Sequence, residues 1–149
     1  MTTDITFRRA VAGDAAALAL VGQATFLETF SGILDGAAII QVSSGLTRYT
    51  YPGQLAYAAA KSAFETAMRY LAVELGPRGI TANIVAPGGV VTDFGGGYLR
   101  EPSLAAAVTE QTPLGRVAQP DDIGEIVAAI ATMPWATGQR IEATGGFKL

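Results

Sequence analysis

The chain has 149 residues, of which 50% are hydrophobic and 15% are charged, and its formal net charge is −3. This length and composition predict one compact domain with a sizeable core. An acidic chain without a basic run does not have the charge distribution of a nucleic-acid binder. Cysteine and histidine are absent, which excludes disulfides, Ser-His-Asp triads and zinc sites built from these ligands.

Targeting and membrane signals are also missing from the sequence. No apolar stretch is as long as the roughly 18 residues that a membrane-spanning helix needs. The N-terminal string MTTDITFRRA carries arginines without the apolar core of a secretory signal. We therefore expect a cytoplasmic protein that binds neither membranes nor nucleic acid.

Strand-like and helix-like segments alternate in the first half of the chain. Residues 5–10 alternate in polarity and predict a short strand. Asp14 is a good N-cap for an Ala-rich helix over residues 14–30. The β-branched run at 37–43 predicts a buried strand, and residues 55–75 have helical composition with no breaker.

The same alternation continues in the second half. Gly76, followed by proline, is predicted to end the preceding helix in a left-handed conformation. A buried strand is predicted at 80–87, a short helix at 103–110, a helix from Pro120 to about residue 132, and a last strand at 139–143. This order predicts an α/β fold with about four parallel strands in the order 1-2-3-4 and helices on both faces.

The most specific local pattern is Ser44 at a predicted strand end, followed by Tyr57-x-x-x-Lys61 at the start of a predicted helix. Residues four apart share a helix face, so the ammonium of Lys61 can stabilise the phenolate of Tyr57. A tyrosine in this position can donate a proton to a carbonyl oxygen or accept one from an alcohol. Ser44 is then a candidate to orient that oxygen.

Four strings, taken in order, resemble the C-terminal half of short-chain dehydrogenases/reductases: IIQVSSGLTRYTYPGQLAYAAAKSA, RGITANIVAPGGVVTDF, PLGRVAQPDDIGEIVAAIAT and ATGQRIEATGG. The resemblance covers residues 37–146 and implies a truncated, Rossmann-like three-layer sandwich. It implies that the catalytic residues are Ser44, Tyr57 and Lys61. It also implies contacts to an NAD or NADP cofactor from Pro87, Gly88, Thr92 and Lys61, and it implies no metal.

Residues 1–36 do not match the half that this family places before the catalytic segment. That half carries T-G-x-x-x-G-x-G, which brings backbone N–H groups to the cofactor pyrophosphate, and the string is absent here. The segment ITFRRAVAGDAAALALVGQATFLETF instead resembles the first strand and helix of GNAT-type acetyltransferases. The two resemblances predict a chimera joined near Gly36 within one α/β domain over residues 1–149. Because both pieces stay close to their families at the junction, deliberate construction is favoured over natural recombination.

Three functional hypotheses follow, and the sequence favours the first. The first is a folded scaffold without turnover and without a cofactor, because hydride transfer depends on holding the nicotinamide against the substrate. The second is an NAD(P)-dependent oxidoreductase that acts on a carbonyl or alcohol through Ser44, Tyr57 and Lys61. The third is a dimerising interaction module that uses the apolar side chains of helix 55–75, namely Leu55, Ala59, Ala63, Met68, Leu71 and Leu75.

Three other aromatic residues have predicted positions. Tyr49 and Tyr51, in the loop before Tyr57, are candidates to line a pocket. Trp135 is predicted to pack a loop before the last strand. The family resemblance further implies that residues 93–118 form the substrate loop.

Overall fold

A computed structural model describes residues 37–148 of the chain. The predicted strand 5–10, the predicted helix 14–30 and the predicted junction near Gly36 lie outside the described residues. The strands and α-helices within the described range are β1 (Ala38–Val42), α1 (Leu55–Leu75), β2 (Thr81–Pro87), α2 (Pro102–Glu110), α3 (Pro120–Ala131) and β3 (Arg140–Ala143).

The described strands form a parallel sheet in the order β1-β2-β3. Val42 pairs with Val85, and Val85 pairs with Ile141. The central strand β2 is buried from Ala82 to Ala86, which explains its nearly continuous apolar sequence, since a parallel strand is covered on both faces. The order and direction predicted for the last three strands are confirmed.

Helices cover both faces of this sheet. Val85 and Ile141 face α3, where they pack with Ile126 and Ile130. On the opposite face α1 packs against β2, and its Met68 is buried. The predicted three-layer α/β arrangement is therefore confirmed for the described part of the chain.

The end of α1 differs from the prediction in its mechanism. The helix ends at Leu75 as expected, but Gly76 keeps right-handed helical angles, with φ −52° and ψ −43°. A 3₁₀ turn over Gly76–Arg78 follows, and Gly79 takes the left-handed conformation with φ +70°. The ring of Pro77 holds φ at about −65°, which suits a continuing tight turn. The left-handed residue that reverses the chain is therefore the next glycine, Gly79.

The turn before β3 is held by Asn83, a fully buried residue of β2. Its side-chain amide donates to the carbonyl of Ala136 at 2.6 Å, and its carbonyl accepts from the backbone N–H of Gln139 at 3.0 Å. Trp135 lies on this turn with 99% of its surface exposed. The prediction that Trp135 packs the loop is therefore wrong, because the hydrogen bonds of the Asn83 side-chain amide stabilise the turn without it.

Candidate active site

The predicted Tyr57–Lys61 pair lies in the first turns of α1, beside the carboxyl end of β1. The ammonium of Lys61 donates to the carbonyl oxygen of Val42 at 2.8 Å. Its nitrogen also lies 5.7 Å from the centroid of the Tyr57 ring. Open α/β sheets bind ligands outside the carboxyl ends of their strands, so this cation lies where a ligand is expected.

Ser44 follows β1 directly and has an extended backbone, with φ −159° and ψ 148°. Its hydroxyl oxygen accepts a hydrogen bond from the backbone N–H of Leu46 at 3.2 Å and caps the 3₁₀ helix Gly45–Thr47. A hydroxyl that accepts one bond keeps its own O–H to donate. Ser44 can therefore donate to a substrate oxygen at the same end of the sheet as Lys61.

The predicted cofactor contacts Pro87, Gly88 and Thr92 lie at and beyond the carboxyl end of β2. The N–H of Gly88 donates to the carbonyl of Ala143 at 3.0 Å. A Cβ added to Gly88 would lie 3.0 Å from the Cα of Thr144, so a glycine favours this close approach of the two strand ends. This preference for glycine comes from packing and is separate from any contact with a cofactor.

Phe94 connects the segment after β2 to the tyrosine. The hydroxyl oxygen of Thr92 accepts from the N–H of Phe94 at 3.3 Å. The Phe94 ring centroid lies 5.4 Å from that of Tyr57, with the planes inclined by 46°. Thr92 and Tyr57 are therefore linked through Phe94, which the family resemblance placed in the implied substrate loop 93–118 without a role of its own.

The sequence also did not predict a charged cluster behind Ser44. Glu65 of α1 is a buried carboxylate, only 7% exposed. It accepts hydrogen bonds from the hydroxyls of Ser43 and Thr47, the latter at 2.8 Å. Nε of Arg140 donates to both carboxylate oxygens, at 3.1 and 3.0 Å, and the guanidinium also binds Glu142.

This cluster fastens the turn that carries the candidate serine. The second terminal nitrogen of Arg140 donates to the backbone carbonyl of Ser44 at 3.2 Å and to Thr47 Oγ1 at 2.7 Å. Arg140 and Glu142 are two residues apart on β3 and so share one face of the sheet, the face toward α1. Two charges alternating on a short predicted strand were the available signal for this cluster in the sequence.

The environment of Glu65 favours its ionised form. Burial by itself raises the pKa of this carboxyl, but the hydrogen bonds from Ser43, Thr47 and Arg140 and the charge of Arg140 together hold the pKa below its usual value. Ionised groups that are buried and fully hydrogen-bonded are stable in this way. The Glu65 carboxylate at the centre of the cluster is therefore ionised at neutral pH.

The side chains at these strand ends fit the nicotinamide riboside part of a dinucleotide. After donating to Val42, Lys61 keeps two N–H donors for the hydroxyls of a ribose. The hydroxyl of Thr92 accepts from Phe94 and can donate to a carboxamide. The fit concerns this part alone, because the predicted contacts include no residues for the adenosine or pyrophosphate.

Other features of the described residues do not add to this site. Residues 37–148 contain no cluster of His, Cys, Asp or Glu able to hold a metal ion. Within the same range, no helix is long and apolar enough to cross a membrane. A shallow cleft of about 600 Å³ lies between α3 and the end of β3, lined in part by Leu114, Ile123 and Gly145.

A parallel α/β sheet with a Ser, Tyr and Lys grouped at its carboxyl edge is characteristic of dinucleotide-dependent oxidoreductases. The chain belongs to the short-chain dehydrogenase/reductase family: a family model described as enoyl-(acyl carrier protein) reductase matches residues 2–148. This match includes residues 2–36, the segment for which the sequence predicted a different origin.

Individual relatives support this family assignment. An oxidoreductase of Methylorubrum extorquens is 40% identical over 119 residues, covering 76% of this chain and 47% of the relative. The NADPH-dependent aldehyde reductase-like protein, chloroplastic, of Arabidopsis thaliana is 40% identical over 116 residues, covering 75% and 42%. The structure of the angucycline C-6 ketoreductase LanV with bound NADP matches with a TM-score of 0.74 and 34% identity, covering 89% and 50%. The chain therefore spans about half the length of these relatives.

Proposed function

We propose that this chain carries the catalytic site of an NAD(P)-dependent oxidoreductase that reduces a carbonyl or oxidises an alcohol. The observation that carries the proposal is the placement of Lys61, which lies against the Tyr57 ring and is held by the Val42 carbonyl. Ser44 follows the same strand with a free O–H to donate. The names of two relatives, an NADPH-dependent aldehyde reductase-like protein and a ketoreductase with bound NADP, support this class of reaction.

The side chains divide the reaction between them. The reduced nicotinamide, when bound, supplies the hydride that the carbonyl carbon receives. Tyr57 donates its phenolic proton to the carbonyl oxygen, so the C=O bond becomes a CH–OH group, and water returns a proton to the phenolate afterwards. Lys61 stabilises the phenolate by its positive charge, and Ser44 donates a hydrogen bond to the oxygen as negative charge develops on it.

The test begins with cofactor binding by the full chain. NADH and NADPH are titrated separately while nicotinamide fluorescence is followed, and cofactor oxidation is then measured with a ketone. Tyr57→Phe should retain cofactor binding and lower kcat by about 10²-fold or more, because the proton donor is removed. Tyr49→Phe, a tyrosine that packs edge-on against Phe147, should keep kcat unchanged. No saturable change at millimolar cofactor would refute the proposal and favour the scaffold without turnover.

A second proposal concerns self-association through α1, as a homodimer. Met68 and Leu71 are buried and belong to the core, so this part of the predicted apolar face is not available. Leu55 and Val73 of the same helix are 84% and 77% exposed, and exposed apolar groups on one helix are typical of an interface. Val73→Glu should convert a dimer into a monomer in light scattering, while Trp135→Glu should not. A monomeric parent chain would contradict the proposal.

We also propose that residues 1–36 are a βα unit of acetyltransferase origin joined to the dehydrogenase segment. The support is the resemblance of ITFRRAVAGDAAALALVGQATFLETF to that family. Amide hydrogen exchange over this segment tests the structural part of the proposal. Protection at 5–10 and 14–30 is expected, and complete exchange there would contradict it.

A further inference from the structure

Phe94 presents an exposed aromatic ring beside the candidate catalytic tyrosine. Its ring lies 5.4 Å from that of Tyr57, centroid to centroid. The residue is nevertheless 63% exposed, although a phenylalanine that serves the core is normally buried. Much of its ring is therefore open to solvent beside the Tyr57 ring.

Tyr98 is held near the same place by the glycine triplet. Gly95, Gly96 and Gly97 all have positive φ, at +64°, +78° and +71°, a conformation that favours glycine. A Cβ added to Gly95 would lie 3.3 Å from the Tyr98 ring, so that ring rests directly over the glycine backbone. The resulting turn carries Phe94 at one end and Tyr98 at the other.

Tyr98 also responds to the charge of two other phenols. Burial raises the pKa of Tyr98, and the phenols of Tyr51 and Tyr57 raise this pKa further. Tyr51 belongs to the loop before α1, where the Nζ of Lys148 lies 5.7 Å from the centroid of its ring.

Phe94 and Tyr98 together form what we call the aromatic rim. They are 63% and 49% exposed, so both rings offer apolar surface beside the turn that leads to Tyr57. Ligand sites typically combine apolar walls with a few placed polar groups. Aromatic rings also prefer offset or edge-on contact with other aromatic rings, which a flat ligand provides better than a puckered or flexible one.

We propose that the aromatic rim selects a planar aromatic ketone as the substrate class of the Tyr57 site. This inference rests on the proposed function, since it assigns a substrate to that reaction. The carbonyl of such a ketone would reach Tyr57 and Ser44 while its ring system contacts Phe94 and Tyr98. The rim is a specificity-determining surface and takes no part in proton transfer.

The test compares two ketones that share a carbon skeleton, 1-tetralone, which has an aromatic ring, and 1-decalone, which is fully saturated. Their affinities for the full chain are measured by calorimetry without cofactor, and NADPH oxidation with each ketone is followed separately. The parent chain should bind 1-tetralone about five- to tenfold more tightly than 1-decalone. Phe94→Leu and Tyr98→Leu should each bring this ratio close to one.

Trp135→Leu is the matched control, because Trp135 is a fully exposed aromatic residue on the turn before β3, outside the rim. It should keep the parent ratio, and circular dichroism should show that all three variants are folded. Equal affinities for the two ketones, an unchanged ratio in Phe94→Leu, or no millimolar binding of either ketone would overturn the inference. Preferential binding of 1-tetralone without NADPH oxidation would instead refute the proposed function and leave the selectivity of the rim intact.

Discussion

Arg140 of β3 donates from Nε to both carboxylate oxygens of Glu65 on α1, at 3.1 and 3.0 Å. The two side chains are 22% and 9% exposed, so this pair is largely removed from water. It joins the edge strand of the described sheet to the helix that carries Tyr57. Because Arg140 also binds the carbonyl of Ser44, the pair connects the stability of the fold with the geometry of the site.

Removing one partner of this pair should destabilise the chain. Arg140→Met leaves the Glu65 carboxylate buried with an incomplete set of donors, and we expect the free energy of unfolding to fall by about 3 kcal/mol. Urea denaturation measures the change. The double variant Glu65→Met/Arg140→Met should recover most of the loss, since neither charge is then left unpaired.

The exposed pair between Asp93 and Arg100 provides the control for this experiment. Its nitrogen–oxygen distance is 2.9 Å, but the arginine and aspartate side chains are 59% and 87% exposed. Water screens such a pair, so Arg100→Met should cost less than about 1 kcal/mol. Equal losses in Arg100→Met and Arg140→Met would contradict the assignment of Arg140 to a buried cluster.

The pH dependence of stability should also reveal Glu65. Its pKa in the folded chain lies below the usual value of 4.5, so the unfolded chain binds protons more readily than the folded one. The contribution of Glu65 is therefore complete above this usual value and is lost as the pH falls through the lower folded pKa. Unfolding free energies measured across this acid range should fall more steeply for the parent chain than for Glu65→Gln. Parallel curves would show that Glu65 contributes nothing specific.

Ser44 allows a test of the proposed reaction that separates capping from catalysis. Ser44→Ala removes the donor to the substrate oxygen and should lower kcat by about 10²-fold. It also removes the acceptor for the N–H of Leu46, so the thermal unfolding midpoint is measured alongside. Ser44→Thr keeps a hydroxyl on an extended backbone and should restore both the activity and the midpoint. Full activity in Ser44→Ala would exclude Ser44 from the reaction.

Substitutions at two neighbouring glycines distinguish the effect of backbone strain from the effect of displacing the aromatic rim. Gly95→Ala and Gly96→Ala both place a Cβ on a residue with positive φ, which costs about 1–2 kcal/mol in each case. Only at Gly95 would the new Cβ meet the Tyr98 ring, at 3.3 Å, whereas Gly96 has nothing within 4 Å. Gly95→Ala should therefore reduce the preference for 1-tetralone over 1-decalone, and Gly96→Ala should not. The same preference in both variants would contradict the position of Tyr98.

The ionisation of Asp122, in the first turn of α3, can be measured directly. Hydrogen bonds from Arg116 and from the backbone N–H of Gln119, together with the arginine charge, lower the pKa of Asp122 to about 2. Carboxyl chemical shifts followed by NMR should show this value in the parent chain. In Arg116→Ala the pKa should rise toward its usual value of 3.8. An Asp122 that titrates near 3.8 in the parent chain would contradict the bonded geometry.

Local patterns in the sequence predicted the described elements closely. The helix predicted at 55–75 forms α1 over that same range. Pro120 is the first residue of α3, as predicted from the preference of proline for the first position of a helix. The order of the last three strands followed from the alternation of strands and helices. The spacing of Tyr57 and Lys61 placed both on one side of a helix, and the structure brings the ammonium against the ring.

Tertiary packing decided the features that no local pattern contains. Glu65 and Arg140 are far apart in the chain and meet only because α1 packs on the face of the sheet that carries β3's charged side chains. Gly79, and not Gly76, reverses the chain after α1 because Pro77 continues the turn. The sequence by itself thus determined the family and the Ser44, Tyr57 and Lys61 candidates through periodicity and ordered motifs. The buried charges behind Ser44 and the aromatic rim around Tyr57 depend on contacts between distant segments, which only the packed layers bring together.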